Sequence, residues 1–369
     1  MCLLTAPFAA SVWCGQVSES SCSTIPEVPR SWTPRRSILA FSSGGVSFSA
    51  RIQFTNSSLS GPFGTYACSA MTPITPPARI AFIGMGVMGA AMAANIIKAG
   101  FSLTVATRSR AKAEPLLAAG ADWAASAADA ADGAACVCLC VPDTPDVEAV
   151  LFGDDGVIEG AAPGTVVIDF STIAAAASAS FAARMADRGI ALLDSPVSGG
   201  PQGAIDGTLT CMVGGADAAF SAARAVFDAV GRTVTLLGPA GSGQVCKSAN
   251  QLIIVSAMQA VAEALAMGRK AGLDPLLMRQ ALLGGSARSF VLENHAKRML
   301  DRNFKPGFRA ELMRKDMRLA LGAVRENGVF APATALAAQM MEAVVNSGRG
   351  GDDCASLGAL VAELSGLKE

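Results

Sequence analysis

The stretch Ile83-Gly84-Met85-Gly86-Val87-Met88-Gly89 decides the fold, because it places a G-x-G-x-x-G pattern at the end of a short apolar run. The run predicts a buried strand, and the residues around the last glycine predict the start of a helix. Three glycines spaced in this way between a strand and a helix are typical of a loop that binds a dinucleotide. Gly84 would allow the tight turn, Gly86 would let the backbone approach a pyrophosphate, and Gly89 would let the helix pack closely on the strand.

Beyond this loop, the sequence alternates short apolar runs with helical patterns as far as residue 237. Such alternation predicts a mostly parallel, doubly wound sheet with helices on both faces, the Rossmann type of α/β fold. Strand signals then stop, and residues 244–271 predict one long apolar helix that joins the sheet domain to an all-α C-terminal domain. The predicted domains are 78–241, which binds NAD(P), and 242–369, which is helical. Helices of the sheet domain are predicted at 88–99, 111–119, 174–187 and 216–230.

Residues 1–77 differ in composition from the rest of the chain. They are rich in Ser and carry four Arg against two Glu. This composition is typical of organelle transit peptides, and residues 66–70 offer a processing site. We expect a transit peptide, for a plastid in preference to a mitochondrion. A disordered extension, or a true start at Met71, remains the alternative.

The overall composition excludes several classes of protein. The 369 residues are 51% hydrophobic and 16% charged, which excludes a disordered chain. A formal net charge of −1 lacks the basic excess of nucleic-acid binders. Glycine, serine and charged residues interrupt every apolar run, so we expect neither a membrane helix nor a nucleic-acid partner.

The rarest residue types narrow the chemistry further. The chain has one His, His295, and one Tyr, Tyr66, so a metal site built on imidazoles and a tyrosine proton donor are both disfavoured. His295 lies in a charged stretch that predicts a solvated helix face. Cys136, Cys138 and Cys140 alternate with apolar residues, which predicts three buried thiols on one face of a strand. We expect no metal site.

The residues after the second predicted strand bear on the choice of cofactor. An acidic residue there would bind the ribose hydroxyl of NAD, but the sequence is Ala106-Thr107-Arg108. Arg108 would pair with the 2′-phosphate of NADP, and Thr107 would donate a hydrogen bond to it. We therefore expect NADP(H) to be preferred. NAD(H) remains the alternative if Arg108 is only a solvated surface charge.

Reduction of a carbonyl with such a cofactor also requires a proton donor. Lys247 lies near the start of the long predicted helix, with Asn250 and Gln251 on the same helix face. The helix dipole and burial between the domains would both lower the pKa of its amine, which suits a general acid. The alternative is a lysine whose amine merely extends to water.

Four segments together resemble the β-hydroxyacid dehydrogenase family, which includes the 3-hydroxyisobutyrate dehydrogenases. The resemblance covers residues 79–369. The segments are the glycine loop, Asp169-Phe170-Ser171-Thr172-Ile173, Asp194-Ser195-Pro196-Val197-Ser198-Gly199-Gly200 with its continuation to Gly215, and residues 241–250.

The resemblance implies a role for individual residues. Lys247 would be the catalytic lysine. Ser198, Gly199 and Gly200 would bind the carboxylate of a small-molecule substrate, and Asn250 would orient that substrate. The cofactor-binding set would comprise Gly84, Met85, Gly86, Val87, Met88, Gly89, Asn95, Thr107, Arg108, Val141, Pro142, Thr172 and Lys315.

Within the family, residues 204–209, 247–251 and 301–309 most resemble the branch that reduces tartronate semialdehyde to glycerate. The resemblance therefore implies an NADPH-dependent reductase of a short aldehyde acid, in a homodimer or homotetramer. The alternatives are reduction of glyoxylate or succinic semialdehyde, oxidation of 3-hydroxyisobutyrate, and a non-catalytic NAD(P)-binding interaction module.

Overall fold

The computed structural model describes residues 2–5, 11–14 and 71–367, and the chain divides into two compact units, 1–67 and 68–369. In the first unit, strand β1 (Cys2–Thr5) pairs antiparallel with β2 (Ser11–Cys14). The predicted processing site at 66–70, and most of the predicted transit peptide, lie outside the described residues. The expectation of a plastid address therefore stays a prediction.

The second unit contains a nine-stranded sheet with β3 at the centre of its parallel part. The order is β11-β10-β8-β7-β6-β3-β4-β5, with β9 attached to β10. All neighbouring strands are parallel except β10, which runs antiparallel to β8 and β9. The strands are β3 (Arg79–Ile83), β4 (Ser102–Ala106), β5 (Asp122–Trp123), β6 (Cys136–Leu139), β7 (Val166–Asp169), β8 (Ala191–Asp194), β9 (Val197–Ser198), β10 (Leu209–Gly214) and β11 (Gly231–Gly238).

Helices cover both faces of this sheet, which confirms the predicted Rossmann fold. One face carries a core that contains Phe82, Phe170 and Phe227, and the other a core that contains Leu139, Leu151 and Met185. The helices of this domain are α1 (Val87–Lys98), α2 (Glu114–Ala118), α3 (Ala127–Ala131), α4 (Thr144–Phe152), α5 (Val157–Gly160), α6 (Ala175–Ala186), α7 (Gly200–Ile205), α8 (Asp217–Ala222) and α9 (Arg224–Val230).

Two predicted helices are shorter or broken in the structure. The predicted helix 216–230 is two helices, because Ala223 adopts φ −85° and ψ 5° between α8 and α9. The predicted helix 111–119 is a 3₁₀ turn, Arg110–Lys112, followed by α2. Pro115 stands in the first turn of α2, where its missing N–H is tolerated.

The prediction of three buried thiols on one strand face is confirmed for Cys136 and Cys138, whereas Cys140 lies just beyond β6 and is half-buried. Cys136 and Cys138 lie in β6 with their Sγ atoms 4.0 Å apart, and Cys140 packs against the same core. All three are free cysteines.

The second half of the unit is helical and packs around the long helix α10. Its core contains Val255, Met258, Met317 and Met341. The helices are α10 (Ser242–Lys270), α11 (Pro275–Leu283), α12 (Ala296–Leu300), α13 (Ala310–Glu326), α14 (Pro332–Val344) and α15 (Leu357–Leu364), with π-helical turns at Val291–His295 and Val345–Arg349 and a 3₁₀ turn at Cys354–Ser356.

Among the described residues, α10 is the one helix long and apolar enough to cross a membrane. This differs from the expectation that no apolar run reaches that length. The helix packs against α13, α14, α15 and β10, and it buries Gln244, Lys247 and Gln251. We therefore interpret α10 as the core helix that joins the two domains.

The N-terminus of α10 is held by a carboxylate at the end of β8. Asp194 is fully buried, and its two oxygens accept hydrogen bonds from the backbone N–H groups of Gly241 (2.6 Å) and Gln244 (3.0 Å). An anion at a helix N-terminus satisfies otherwise unpaired donors and interacts favourably with the helix dipole. The Gln244 side chain adds two bonds, because Nε2 donates to Ser171 O and Oε1 accepts from Ile173 N.

Asp194→Asn should therefore destabilise the protein by about 1–3 kcal/mol. The asparagine keeps the volume but directs an NH₂ group at one backbone N–H, which leaves that donor unpaired. Denaturant unfolding of the full chain measures the effect. The control is Asp228→Asn, since Asp228 makes an exposed ion pair with Arg224, and we expect that change to be nearly neutral. Equal stability of both variants would contradict this account.

Candidate active site

The glycine loop has the geometry that its sequence predicts. Gly84 has φ +98°, and its N–H donates to Ala106 O at 3.0 Å. A Cβ at Gly84 would overlap the carbonyl oxygen of Cys140, and a Cβ at Gly89 would overlap the carbonyl oxygen of Gly84. Gly86 has no atom within 4 Å of its Cβ position, so its backbone faces open space at the start of α1. This open backbone fits the close approach of a pyrophosphate.

The other loop residues and the end of β4 surround this opening. Met85 is buried, Met88 is half-buried and Val87 is exposed. Thr107 and Arg108 follow β4 directly, beside Ala106, which pairs with the loop. Arg108 is exposed and makes no ion pair with any residue between 71 and 367. The loop and the cation beside it therefore fit a nicotinamide dinucleotide.

Lys315 joins the helical domain to the ends of two central strands. From α13 its Nζ donates to Thr172 O at 2.6 Å and to Pro142 O at 3.0 Å. Val141 lies beside Pro142, and its N–H donates to Ser171 Oγ at 2.9 Å. Ligands of doubly wound folds bind at this carboxyl-terminal edge of the sheet. Four residues of the predicted cofactor set are therefore brought together here.

Lys247 lies at the next position along this edge. Its side chain is 7% exposed, and its Nζ donates to Val197 O at 2.9 Å. Burial lowers the pKa of the Lys247 amine below its ordinary value, the Asp316 carboxylate acts in the opposite direction, and Lys315 lowers the pKa further. The lysine is thus held between the domains instead of extending to water.

The predicted carboxylate-binding loop adjoins this lysine, because Ser198 follows Val197 in β9. Gly199 has φ +133° and Gly200 has φ +63°, backbone conformations that residues with a Cβ rarely adopt. The two glycines turn the chain from β9 into α7. The structure therefore places Ser198, Gly199 and Gly200 in the three residues that follow the contact made by the amine.

Asn250 belongs to a chain of side-chain hydrogen bonds that crosses from α10 to α13. Its Nδ2 donates to Gln251 Oε1 at 2.8 Å, and Gln251 Nε2 donates to Asp316 Oδ2 at 2.6 Å. Asp316 Oδ1 lies 3.1 Å from Lys315 Nζ. Asp316 is 2% exposed and was not among the predicted site residues. The local sequence gives no signal for it, because its partner Gln251 lies 65 positions earlier in the chain.

Asn95 has a different environment from the one expected of a cofactor ligand. Its Nδ2 donates to Ala204 O at 2.8 Å and to Ile205 O at 3.3 Å, so the side chain ties α1 to α7. Nine residues of helix separate it from Gly86, which corresponds to about 13 Å along the axis. These bonds give Asn95 a structural role, and its contact with the cofactor stays a prediction.

Asp169 is a second buried carboxyl group that the sequence reasoning did not select for the site. It ends β7, its Oδ1 accepts from Ser171 N at 2.8 Å, and its Oδ2 has no partner among the described residues. Burial raises the pKa of Asp169 to about 7, although hydrogen bonds from Ser171 and the charge of Lys315 act in the other direction. The group therefore titrates near neutrality beneath the strand edge.

His295 is partly buried rather than solvated, and it lies near Asp353 and Cys354. The nearest ligand atoms of these three residues lie within 4.8 Å of one another. However, Asp353 already accepts from Gly307 N and Phe308 N, and Arg298 lies 3.2 Å from its Oδ1. Burial raises the pKa of the Cys354 thiol well above its ordinary value, which disfavours the thiolate that binds metals. We interpret this cluster as structural.

Two family models match almost all of the second unit. A model described as the NAD binding domain of 6-phosphogluconate dehydrogenase matches residues 79–238. A model described as NAD-binding of NADP-dependent 3-hydroxyisobutyrate dehydrogenase matches residues 241–361. The transition between the two models falls just before α10.

Several proteins of similar sequence or structure are dehydrogenases or reductases of small hydroxy acids. The chain is 40% identical to the 2-hydroxy-3-oxopropionate reductase of Escherichia coli over 73% of its own length and 92% of that protein. It is 39% identical to the NAD-dependent L-serine dehydrogenase of Pseudomonas aeruginosa over 73% and 93%. A structure of 3-hydroxyisobutyrate dehydrogenase from Mycobacterium tuberculosis with L-serine has a TM-score of 0.72 and 30% identity over 77% of this chain and 99% of that one.

The different surroundings of Gly86 and Gly89 can be tested by a pair of alanine variants. Gly86→Ala should fold with a Tm within about 2 °C of the wild type but weaken cofactor binding at least about tenfold, because the methyl group occupies the space of the phosphates. Gly89→Ala should lose about 1–3 kcal/mol of stability through its overlap with Gly84. Thermal melts and fluorescence titration with NADPH and NADH measure both effects.

The matched control is Gly322→Ala in α13, where a Cβ also meets open space. It should leave cofactor affinity unchanged and raise stability by about 0.5–1 kcal/mol, because Ala is favoured over Gly inside a helix. Unchanged cofactor affinity in Gly86→Ala would show that the phosphates do not approach this backbone.

Proposed function

The chain belongs to the β-hydroxyacid dehydrogenase family, as its motifs predicted, and on that basis we propose that it reduces tartronate semialdehyde (2-hydroxy-3-oxopropionate) to glycerate with NADPH. Family membership makes it an NAD(P)-dependent oxidoreductase. The observation that carries the proposal is the buried amine of Lys247, held 2.9 Å from Val197 O beside the Ser198–Gly200 turn.

The proposed reaction assigns one task to each part of the site. The reduced nicotinamide, when bound, supplies a hydride to the aldehyde carbon. The Lys247 ammonium donates a proton to the aldehyde oxygen as the C=O bond becomes a C–O–H group. Its positive charge also stabilises the negative charge that develops on that oxygen. The lowered pKa of the amine makes it a better acid than an ordinary lysine at neutral pH.

A short acid suits a site in which the lysine lies directly beside the glycine turn. Backbone N–H groups near Ser198, Gly199 and Gly200 would bind the carboxylate, since glycines let donors converge on an anion. Asn250 lies one helical turn from Lys247 on α10 and would orient the rest of the molecule. The similarity to the E. coli reductase favours tartronate semialdehyde among short aldehyde acids.

The preference for NADPH rests on Arg108. The residue is exposed at the end of β4 beside the glycine loop, where an acidic residue would bind NAD instead. A guanidinium group there pairs with the 2′-phosphate of NADP by charge-assisted hydrogen bonds. The relative from P. aeruginosa is NAD-dependent by name, so the assignment depends on this residue and not on the relatives.

A homodimer or homotetramer in an organelle completes the proposal. Helix α11 has no buried residue, and its apolar side chains Leu276 and Leu277 are 60% and 65% exposed. A helix with such exposed apolar residues favours association with another copy.

The organellar location, plastid in preference to mitochondrion, rests on the composition of residues 1–77.

Lys247→Met should lower kcat for the aldehyde at least about 100-fold, because it removes the general acid and keeps most of the side-chain volume. Cofactor affinity should change little, since the amine contacts Val197 and not the glycine loop. Steady-state kinetics and NADPH titration measure the two properties. Lys98→Met, which changes an exposed lysine at the end of α1, is the control and should retain full turnover. Turnover near the wild-type value in Lys247→Met would disprove the proposed role.

The substrate and cofactor are tested by comparing kcat/KM across a panel. With NADPH and NADH in turn, the aldehydes are tartronate semialdehyde, glyoxylate and succinic semialdehyde, and oxidation is followed with 3-hydroxyisobutyrate and L-serine. We expect the highest value for tartronate semialdehyde with NADPH. Arg108→Leu should raise KM for NADPH about tenfold and leave KM for NADH unchanged.

A higher kcat/KM for glyoxylate or succinic semialdehyde would reassign the protein as a reductase of those aldehydes with the same lysine chemistry. Faster oxidation of 3-hydroxyisobutyrate would make it a dehydrogenase of that acid. Absence of turnover with every pair would favour a non-catalytic binding module.

A further inference from the structure

Asp316 is a buried acid of the helical domain that lies between α13 and α10. It lies on α13 and is 2% exposed, and its two carboxylate oxygens have different partners. Oδ2 accepts a hydrogen bond of 2.6 Å from Gln251 Nε2, and Oδ1 lies 3.1 Å from Lys315 Nζ. Gln251 is itself only 4% exposed, so this bond has little competition from water.

We propose that Asp316 is a positioning residue which, through Gln251, fixes the direction of the Asn250 amide and so selects substrates that carry a hydroxyl group next to the aldehyde. The inference rests on the proposed reductase function, because it concerns the same site. Asp316 does not itself touch the reacting atoms in this account.

The direction of the amide follows from which groups can donate. An ionised carboxylate only accepts hydrogen bonds, so Gln251 must turn its NH₂ group toward Asp316. Its Oε1 then faces Asn250, and only the NH₂ group of Asn250 can satisfy it, at 2.8 Å. Without this constraint, either end of each amide could occupy either position.

This constraint leaves the Oδ1 atom of Asn250 available as an acceptor. A hydroxyl group can donate to such an oxygen, whereas an aldehyde or a carboxylate cannot. Tartronate semialdehyde carries a hydroxyl group beside its aldehyde, but glyoxylate and succinic semialdehyde carry none. An acceptor of fixed direction therefore favours the hydroxy acid over the other two aldehydes.

The charge of Asp316 has a second, separable effect. Among the described residues, Asp316 and Lys315 of α13 are the charges that act on Lys247, and Asp169 acts on Lys315 from the sheet. Asp316 raises the pKa of Lys247 against the effect of burial. Loss of the negative charge would lower that pKa further, and the protonated amine required for reduction would then be lost at a lower pH.

Two variants separate these effects. Asp316→Asn removes the charge and lets the amide chain reverse, so KM for tartronate semialdehyde should rise about tenfold while KM for glyoxylate changes less than about threefold. The alkaline decline of kcat/KM should also move to lower pH. Gln251→Met breaks the chain and leaves the charge in place, so it should raise the same KM without moving the pH profile.

The double variant tests whether the two residues act through one chain. If they do, the KM of the double variant should be close to the larger of the two single-variant values. Residues that act independently would instead multiply their two fold-increases in KM. The control Asp228→Asn should change none of these quantities. Circular dichroism and a thermal melt of each full-length variant verify folding, and if Asp316→Asn does not fold, the Gln251→Met comparison of the two aldehydes decides.

Equal increases in KM for both aldehydes, or an unchanged KM in Gln251→Met, would overturn the inference and leave the reductase assignment intact. Full turnover in Lys247→Met would instead refute the proposed function. The two failures are therefore distinguishable.

Discussion

The site depends on the contact between the Asp194 carboxylate and the first N–H groups of α10. A buried carboxylate needs donors for its oxygens, and a helix N-terminus needs acceptors for its free N–H groups, so each satisfies the other. Burial raises the pKa of Asp194, and the N–H groups of Gly241 and Gln244 counteract that shift. Because a Cβ at Gly214 or Gly243 would meet the same carboxylate, the helix can approach the sheet only where glycine stands.

A second link crosses the cleft farther along the sheet edge. Lys315 reaches from α13 to Thr172 O and Pro142 O, while Asp316 beside it holds Gln251 of α10. Two lysine amines and three buried carboxyl groups, those of Asp316, Asp169 and Asp194, therefore contribute to the local electrostatics. Since the pKa of Asp169 is about 7, its ionisation near neutral pH adds a negative charge that acts on Lys315. The charges on either side of the cleft are thus coupled through the same lysine.

Local patterns predicted much of this arrangement, and long-range contacts account for the rest. The glycine loop and Lys247 stand out because their spacing in the sequence is itself the signal. Asp316 could not be selected in that way, since its importance comes from Gln251, 65 positions earlier in the chain. The link that Asn95 makes between α1 and α7 could not be predicted for the same reason, because the carbonyl groups that accept from it belong to α7. The sequence does not predict the break between α8 and α9 at Ala223, because alanine is frequent on both sides of it.

The first turns of α10 show why these contacts act together. Gln244, Lys247 and Gln251 are spaced three and four residues apart, so they lie along one stripe of the helix. Gln244 bonds to Ser171 O after β7, and Lys247 bonds to Val197 O. Gln251 bonds to Asp316 on α13. A rigid helix transmits a displacement at one end to the whole stripe. The anchoring of its N-terminus therefore sets the backbone positions of Lys247 and Asn250 together.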